Sequence, residues 1–172
     1  VPSAESARLF FALWPDAEIQ SDFFNAAKQM QQACGGHRTR RENMHLTLAF
    51  LGETETQQIP SVIAAASRIQ AHSFELAFSR LGWWHSNQVA WAAPERLPLA
   101  LHELVKNLRL DLTPLGFKFD ERRFFPHVSL LRKAHCGGVE VDSVPILWAV
   151  RSFALVRSTT LHDGAHYAIV QR

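Results

Sequence analysis

Short apolar runs, each closed by a glycine, a proline or a polar cluster, divide much of the chain into predicted β-strands. They fall at residues 8–14, 44–51, 74–78, 88–92, 127–131, 148–160 and 167–170. The run at 148–160 predicts one long strand. Asp163-Gly164 follows it and is a two-residue hairpin signal, so the last two strands are expected to pair.

Three other segments carry helix signals. We expect helices at residues 16–34, 57–71 and 98–112. Asp16 can cap the first helix and Gly35-Gly36 can end it, while Pro60 suits the first turn of the second. The third helix has one apolar stripe, formed by Leu101, Leu104, Val105 and Leu108. No linker or low-complexity segment interrupts the chain, so the pattern predicts one α+β domain over residues 1–172.

One sequence pattern occurs twice. The segment RENMHLTL at 41–48 parallels RFFPHVSL at 123–130, with the two histidines 82 positions apart, too long a period for a solenoid. Side chains alternate across a strand, so His45 and Thr47 share one face, as do His127 and Ser129. The repeat therefore predicts two related lobes that bring two imidazoles and two hydroxyls around one cleft.

Two imidazoles at one cleft suit the hydrolysis of a cyclic phosphodiester. A neutral histidine can take a proton from water while a protonated one gives a proton to the departing ribose oxygen. Histidine titrates near ~6.5, so both forms are accessible near neutral pH. Hydroxyls and a cation can hold the phosphoryl oxygens. This chemistry requires no metal or other cofactor, and we expect none.

The two histidine motifs resemble those of a known protein family. NMHLTLAFLG at 43–52 and PHVSLLR at 126–132 resemble the paired motifs of the two-histidine phosphoesterase superfamily, specifically its bacterial LigT-like branch, the 2′-5′ RNA ligase or RNA 2′,3′-cyclic phosphodiesterase family. The opening strand and the closing hairpin are also similar. The resemblance implies two pseudo-symmetric lobes with antiparallel sheets, a V-shaped cleft and helices on the outside. It implies hydrolysis of RNA-terminal 2′,3′-cyclic phosphate to a 2′-phosphate, and in some members reversible joining of tRNA halves.

The resemblance also implies residue roles. His45 matches the family's proton donor and His127 its proton acceptor, whereas Thr47 and Ser129 match hydroxyls that bind phosphate oxygens. Ser129 stands where threonine is commoner and lacks the β-branch that restricts the rotamer. Arg132 matches a basic substrate-binding residue. Strict alternation puts Arg132 on the face opposite His127, and a β-bulge or the strand end would reconcile the two.

Several aromatic residues are candidates for stacking on a nucleobase. Phe50 holds the place in the first repeat that Arg132 holds in the second, five residues after the histidine. It could line the cleft as a substrate-binding residue, although the pattern favours a core position. Trp83 and Trp84 are adjacent, so one of them should face outward, while Trp91 is expected in the core.

Composition and charge indicate which broad class of protein the chain belongs to and where it is expected in the cell. A net charge of +2, with 47% apolar and 20% charged residues, is typical of a globular domain and does not indicate binding to long nucleic acids. No apolar run approaches the ~20 residues of a membrane span, and residues 1–7 lack signal-peptide features, so we expect a cytoplasmic protein. We also expect a monomer. Cys34 and Cys136 lack metal-site spacing and are predicted to be free thiols.

Two further clusters have ordinary explanations. His162 and His166 flank the hairpin turn, but no carboxylate or cysteine is placed to complete a tetrahedral metal site, so exposed turn residues are predicted. Basic residues gather beside both histidine motifs, where solvated loop charges are the usual explanation. They are Arg38, Arg40, Arg41, Arg122, Arg123, Arg132 and Lys133.

Three functions stay open at this point. The first is hydrolysis of RNA 2′,3′-cyclic phosphate, with RNA ends, small cyclic nucleotides or tRNA halves as partners. The second is a related esterase acting on ADP-ribose 1″,2″-cyclic phosphate or 2′-5′ oligoadenylate. The third is a non-catalytic RNA-end binder, against which the presence of both histidines and both hydroxyls counts. The motifs favour the first.

Overall fold

A computed structural model describes residues 5–120, 122–138, 141 and 144–172. Within them, nine strands form one antiparallel sheet: β1 (Ser6–Leu13), β2 (His37–Arg38), β3 (Leu46–Glu55), β4 (Phe74–Trp84), β5 (Val89–Pro94), β6 (Val128–Arg132), β7 (Ile146–Val150), β8 (Ala154–Leu161) and β9 (Gly164–Gln171). Three helices pack on one face of this sheet: α1 (Ala17–Cys34), α2 (Ile59–Ser67) and α3 (Leu99–Leu112). Short 3₁₀ turns stand at Arg41–Asn43, Thr56–Gln58 and Thr113–Leu115.

The sheet has two halves that meet at the histidine motifs. One half has the strand order β7-β4-β5-β6, with β2 also on β6, and the other has the order β3-β1-β8-β9. A single residue pair, Leu46 with Val128, joins β3 to β6. The helices and the main core lie on one side of both halves. This arrangement confirms the predicted α+β fold of two antiparallel-sheet lobes with helices on the outside.

Local signals place the helices where the sequence predicts them. The Asp16 carboxylate caps α1 by accepting the Ile19 backbone N–H at 3.0 Å, and Gly35 ends it at φ +63°, a conformation that favours glycine. The apolar stripe of α3 is buried. The helix α2 is shorter than expected at both ends, since a 3₁₀ turn occupies residues 56–58 and the helix ends at Ser67 rather than at residue 71. None of the helices in the described ranges is long and apolar enough to cross a bilayer.

The prediction of one long strand at 148–160 is wrong. Residues 146–150 form β7, which pairs with β4 at one edge of the sheet, while 154–161 form β8, which pairs with β1 in the other half. The chain crosses between the halves at 151–153. Both segments are apolar and suit strands, but periodicity does not encode which partner each strand finds. The hairpin of β8 and β9 forms as predicted, with Leu161 paired to Gly164.

The prediction of free thiols is also wrong, since Cys34 and Cys136 form a disulfide. Cys34 is the last residue of α1, and Cys136 lies in the loop after β6. The His135 backbone N–H donates to the Cys34 carbonyl oxygen at 2.9 Å, which holds the two segments together. The Cα atoms of the two cysteines are therefore 4.4 Å apart, within disulfide range, although 102 positions separate them.

Candidate active site

The two histidine motifs lie side by side where the sheet halves meet. In antiparallel register, the one residue pair that joins the halves sets His45 beside Ser129 and Thr47 beside His127. The aliphatic residues of that pair are fully buried, so these four side chains share the opposite face. All four line one open cleft of about 700 Å³. Strand alternation predicts that His45 lies with Thr47 and that His127 lies with Ser129. The pairing of β3 with β6 brings these two pairs of side chains together in one cleft.

A β-bulge brings Arg132 into the same cleft. Between Ser129 and Leu131, β6 has one residue more than β5 opposite it. This extra residue, Leu130, reverses the alternation beyond it. Leu130 and Leu131 are consequently both buried, and Arg132 lines the cleft. The structure therefore contains the bulge that the sequence offered as one way to place Arg132 with the histidines.

The first motif has an equivalent bulge, which places Phe50. Between Thr47 and Ala49, β3 has one residue more than β1, and this extra residue is Leu48. Leu48 and Ala49 are both buried, and Phe50 turns to the cleft with 66% of its surface exposed. The core position favoured for Phe50 is therefore wrong. Its ring is available to a ligand in the cleft.

Backbone carbonyls orient both imidazoles in the same way. The Nδ1–H of His45 donates to the Asn43 carbonyl oxygen at 2.6 Å, and that of His127 donates to the Phe125 carbonyl oxygen at 2.9 Å. A carbonyl can only accept, so Nδ1 carries the proton and Nε2 is left for chemistry. The Nε2 atom of His45 lies 3.1 Å from the Thr47 hydroxyl oxygen, which can donate to it.

Burial lowers the pKa of both histidines. The pKa of His45 is lowered to about 4, chiefly by desolvation; the Asn43 carbonyl opposes this change, and the charges of His127 and Arg132 contribute to it. Desolvation also lowers the pKa of His127, opposed by the Phe125 carbonyl. Near pH 7 both imidazoles are therefore neutral in the free protein. A proton donor must gain its proton as an anionic ligand binds, because the anion stabilises the imidazolium.

This electrostatic setting predicts a bell-shaped pH profile of kcat/KM with its maximum below ~6.5, the ordinary histidine pKa. The reaction needs one imidazolium and one neutral imidazole. Because both pKa values are lowered, activity falls with rising pH as the acid loses its proton, and falls at low pH as the base gains one. A bound phosphate opposes the lowering, so kcat should peak at a higher pH. A kcat/KM maximum above ~6.5 in initial-rate measurements would contradict this assignment.

Aromatic rings surround both histidines and account for much of their burial. Trp14 stacks on His45 with nearly parallel planes and ring centroids 5.0 Å apart, and Tyr167 meets the same imidazole edge-on at 5.2 Å. Trp84 packs edge-on against His127 at 4.6 Å. No role was predicted for Trp14 or Tyr167 from the sequence. The available signal was that Trp14 closes the first predicted strand and Tyr167 opens the last.

The tryptophans of β4 and β5 differ in part from their predicted exposure. Trp91 is buried, as predicted. Trp83 and Trp84 are both half-buried, so neither is the outward-facing ring that was expected. The Trp83 indole N–H donates to the Ala134 carbonyl oxygen at 2.7 Å, which holds β4 to the loop after β6.

Hydrogen bonds and an ion pair connect the β8–β9 turn to the loop before His45. Arg40 donates to the Asp163 carboxylate at 3.0 Å and to the Asp163 carbonyl at 2.9 Å, and His166 contacts the same carboxylate at 2.8 Å. The Asn43 side-chain amide donates to a carbonyl of this hairpin at 2.9 Å. Asn43 therefore binds the hairpin with its side chain and orients His45 with its carbonyl.

The hairpin histidines differ from each other. His162 is exposed, as predicted, but His166 is half-buried and bonded to Asp163. Across the described ranges, no group of three or more His, Cys, Asp or Glu side chains is placed to hold a metal ion.

Part of the predicted basic clusters faces the cleft. Four arginines line the cleft, namely Arg8, Arg38, Arg40 and Arg132, and all of them except Arg8 belong to the predicted clusters. Arg40 is paired with Asp163, and Arg38 lies over the Phe24 ring, 4.8 Å from its centroid. Other predicted cluster members do not line the cleft: Arg41, Arg122, Arg123 and Lys133. The cleft wall is therefore basic, which suits an anionic ligand.

The two-lobed sheet and its cleft are those of a phosphoesterase, and the chain belongs to the LigT-like phosphoesterase family. The family model described as "LigT like Phosphoesterase" matches residues 13–91, which include the first motif. The RNA 2′,3′-cyclic phosphodiesterase of Escherichia coli K12 is 30% identical over 171 residues, 98% of this chain and 97% of that protein. The protein of the same name from Thermotoga maritima is 29% identical, over 95% and 92%. The crystal structure of E. coli LigT complexed with 3′-AMP matches with a TM-score of 0.87 at 30% identity, covering 98% of this chain and 97% of that one.

Proposed function

We propose that this protein hydrolyses 2′,3′-cyclic phosphates at RNA ends to 2′-phosphates, with His45 as proton donor and His127 as proton acceptor. The observation that carries the proposal is the placement of both imidazoles in one cleft, each with its Nδ1–H held by a backbone carbonyl. The relatives named RNA 2′,3′-cyclic phosphodiesterases, which align with nearly the whole chain, support this substrate class.

In the proposed reaction, a water oxygen attacks phosphorus as the bond from phosphorus to O3′ breaks. The Nε2 atom of His127 takes a proton from the water. The Nε2 atom of His45, protonated in the complex, gives its proton to O3′. His45 ends neutral and His127 ends protonated, and exchange with solvent restores the starting pair. In-line displacement needs the two groups on opposite sides of phosphorus, which suits histidines from opposite lobes.

Three side chains would hold the phosphoryl group, and one would hold the base. The hydroxyls of Thr47 and Ser129 can donate to the non-bridging oxygens. The guanidinium of Arg132 can offset the negative charge that develops in the transition state. Phe50, exposed at the cleft wall, can stack on the terminal nucleobase. These assignments make Thr47, Ser129, Arg132 and Phe50 the substrate-binding residues.

Digestion of adenosine 2′,3′-cyclic phosphate is expected to give adenosine 2′-phosphate, since O3′ is the leaving group. No step uses a metal, so the rate should be unchanged in EDTA. Phosphorus NMR or chromatography against the 2′- and 3′-phosphate standards identifies the product. A 3′-phosphate product would mean that the sugar is reversed and His45 faces O2′. Complete inhibition by EDTA, with rescue by a divalent ion, would refute the two-histidine mechanism.

A substrate panel separates the alternatives. ADP-ribose 1″,2″-cyclic phosphate and 2′-5′ oligoadenylate test esterase activity on other substrates, and tRNA halves test reversible ligation. A non-catalytic binder would retain cyclic-ended RNA without turnover. We also propose that the protein acts as a cytoplasmic monomer on RNA ends or small cyclic nucleotides, which gel filtration and cell fractionation can test.

A further inference from the structure

The cleft extends well beyond the histidine motifs. Its lining continues along β1 from Phe10 to Arg8 and includes Ser158 of β8. Thr47 is paired with Ala12 of β1, which marks the position of the catalytic motif on that strand. At about 3.3 Å per residue, Arg8 lies about 13 Å further along the strand. The exposed ring of Phe50, paired with Phe10, lies between these two ends.

Arg8 differs from the other arginines of the cleft in the partners of its guanidinium group. Arg40 is paired with Asp163 and Arg38 lies over an aromatic ring, while Arg132 is beside the histidines. Within the residues that the structure describes, no carboxylate lies at ion-pair distance from Arg8. Its cross-strand neighbour Glu53 is instead hydrogen-bonded to the Ser6 hydroxyl at 3.1 Å. Arg8 is exposed, so its charge is available to a ligand at this end of the cleft.

We propose that Arg8, together with the Ser158 hydroxyl, forms a second phosphate subsite, which binds the phosphodiester on the 5′ side of the terminal nucleotide. This inference rests on the proposed function. With the cyclic phosphate at the histidines and the base on Phe50, the 5′ carbon of the ribose is directed away from the reacting phosphorus. The next phosphate of an RNA chain then lies at the Arg8 end. Such a subsite gives the enzyme a preference for ends of oligoribonucleotides over cyclic mononucleosides, which it still hydrolyses.

The test compares two substrates that differ only in this phosphate: adenosine 2′,3′-cyclic phosphate and its 5′-phosphorylated form. The unmodified protein should show the higher kcat/KM on the 5′-phosphorylated substrate. Arg8→Met should remove about a tenfold preference, the usual worth of a charge-assisted hydrogen bond. Arg8→Lys should keep part of it because the charge stays while the fork of donors is lost.

Arg157→Met is the matched control. Arg157 lies on β8 opposite Leu9, one position from the pairing of Arg8 with Ser158, and it is exposed but does not line the cleft. Its replacement removes the same charge from the same region of the sheet on the other face. The preference for the 5′-phosphate should be the same in this variant as in the unmodified protein.

Inhibition by product analogues gives a second test of the subsite, and it can be done on the unmodified protein alone. Adenosine 2′,5′-bisphosphate should inhibit the unmodified protein more strongly than adenosine 2′-phosphate does. Equal inhibition, or an Arg8→Met variant that loses the same factor on both substrates, would overturn the subsite while leaving the hydrolase function in place. If neither cyclic substrate is turned over, the proposed function fails, and the subsite inference fails with it.

Discussion

Replacing either His45 or His127 by alanine is expected to lower kcat by about 10²-fold or more. Both proton transfers belong to one displacement in the proposed mechanism, so the loss of either imidazole disables it. The double variant should be little slower than each single variant, because residues that act as a unit are not additive. Single-turnover rates on a cyclic-ended oligonucleotide measure the effect.

His102→Ala is the control for this experiment. His102 is exposed on α3, on the helical side of the sheet and away from the cleft, so its replacement should leave the rate unchanged. Circular dichroism and thermal melting establish that each variant folds. Near-normal kcat in either single active-site variant, with the fold intact, would show that the histidine roles are assigned wrongly.

Arg132→Met should be the next most damaging substitution, with a loss of about 10²-fold in kcat/KM. The methionine keeps much of the side-chain volume but removes the cation that faces the phosphoryl oxygens. Arg132→Lys should recover part of the loss, since it restores the charge without the bidentate geometry. Steady-state kinetics on adenosine 2′,3′-cyclic phosphate check both results.

Lys133→Met is the paired control for Arg132. Lys133 is the next residue, it is also cationic and exposed, and it does not line the cleft. The two variants therefore have the same change in net charge within one residue of each other. If Lys133→Met slows the reaction as much as Arg132→Met does, the effect of Arg132 is general electrostatics rather than contact with the substrate.

Much of this protein is predictable because the relevant signals are local. Asp16 and Gly35 define the ends of α1 through contacts and dihedral angles within a few residues. Asp163-Gly164 marks the hairpin for the same reason. The H-x-[ST] spacing places each histidine with its hydroxyl on one face, since the alternation of side chains is a property of any strand. Two copies of that spacing also allowed the family to be recognised from sequence.

Other features depended on partners far away in the chain. The segments 146–150 and 154–161 look like one strand, and only their separate partners β4 and β1 divide them. Cys34 and Cys136 meet because α1 ends against the loop after β6. These outcomes follow from non-local hydrogen bonds and packing, on which a pattern of apolar and polar residues carries no information.

The candidate site combines both kinds of determination. Residue types and spacing are enough to identify the side chains capable of acid–base chemistry and the face of the strand that each motif uses. The bulge after each hydroxyl residue could not be read from the sequence, because a bulge exists relative to a paired strand. Those two bulges move Phe50 and Arg132 from the face that alternation assigns them to the cleft. The final composition of the site was therefore decided by strand pairing.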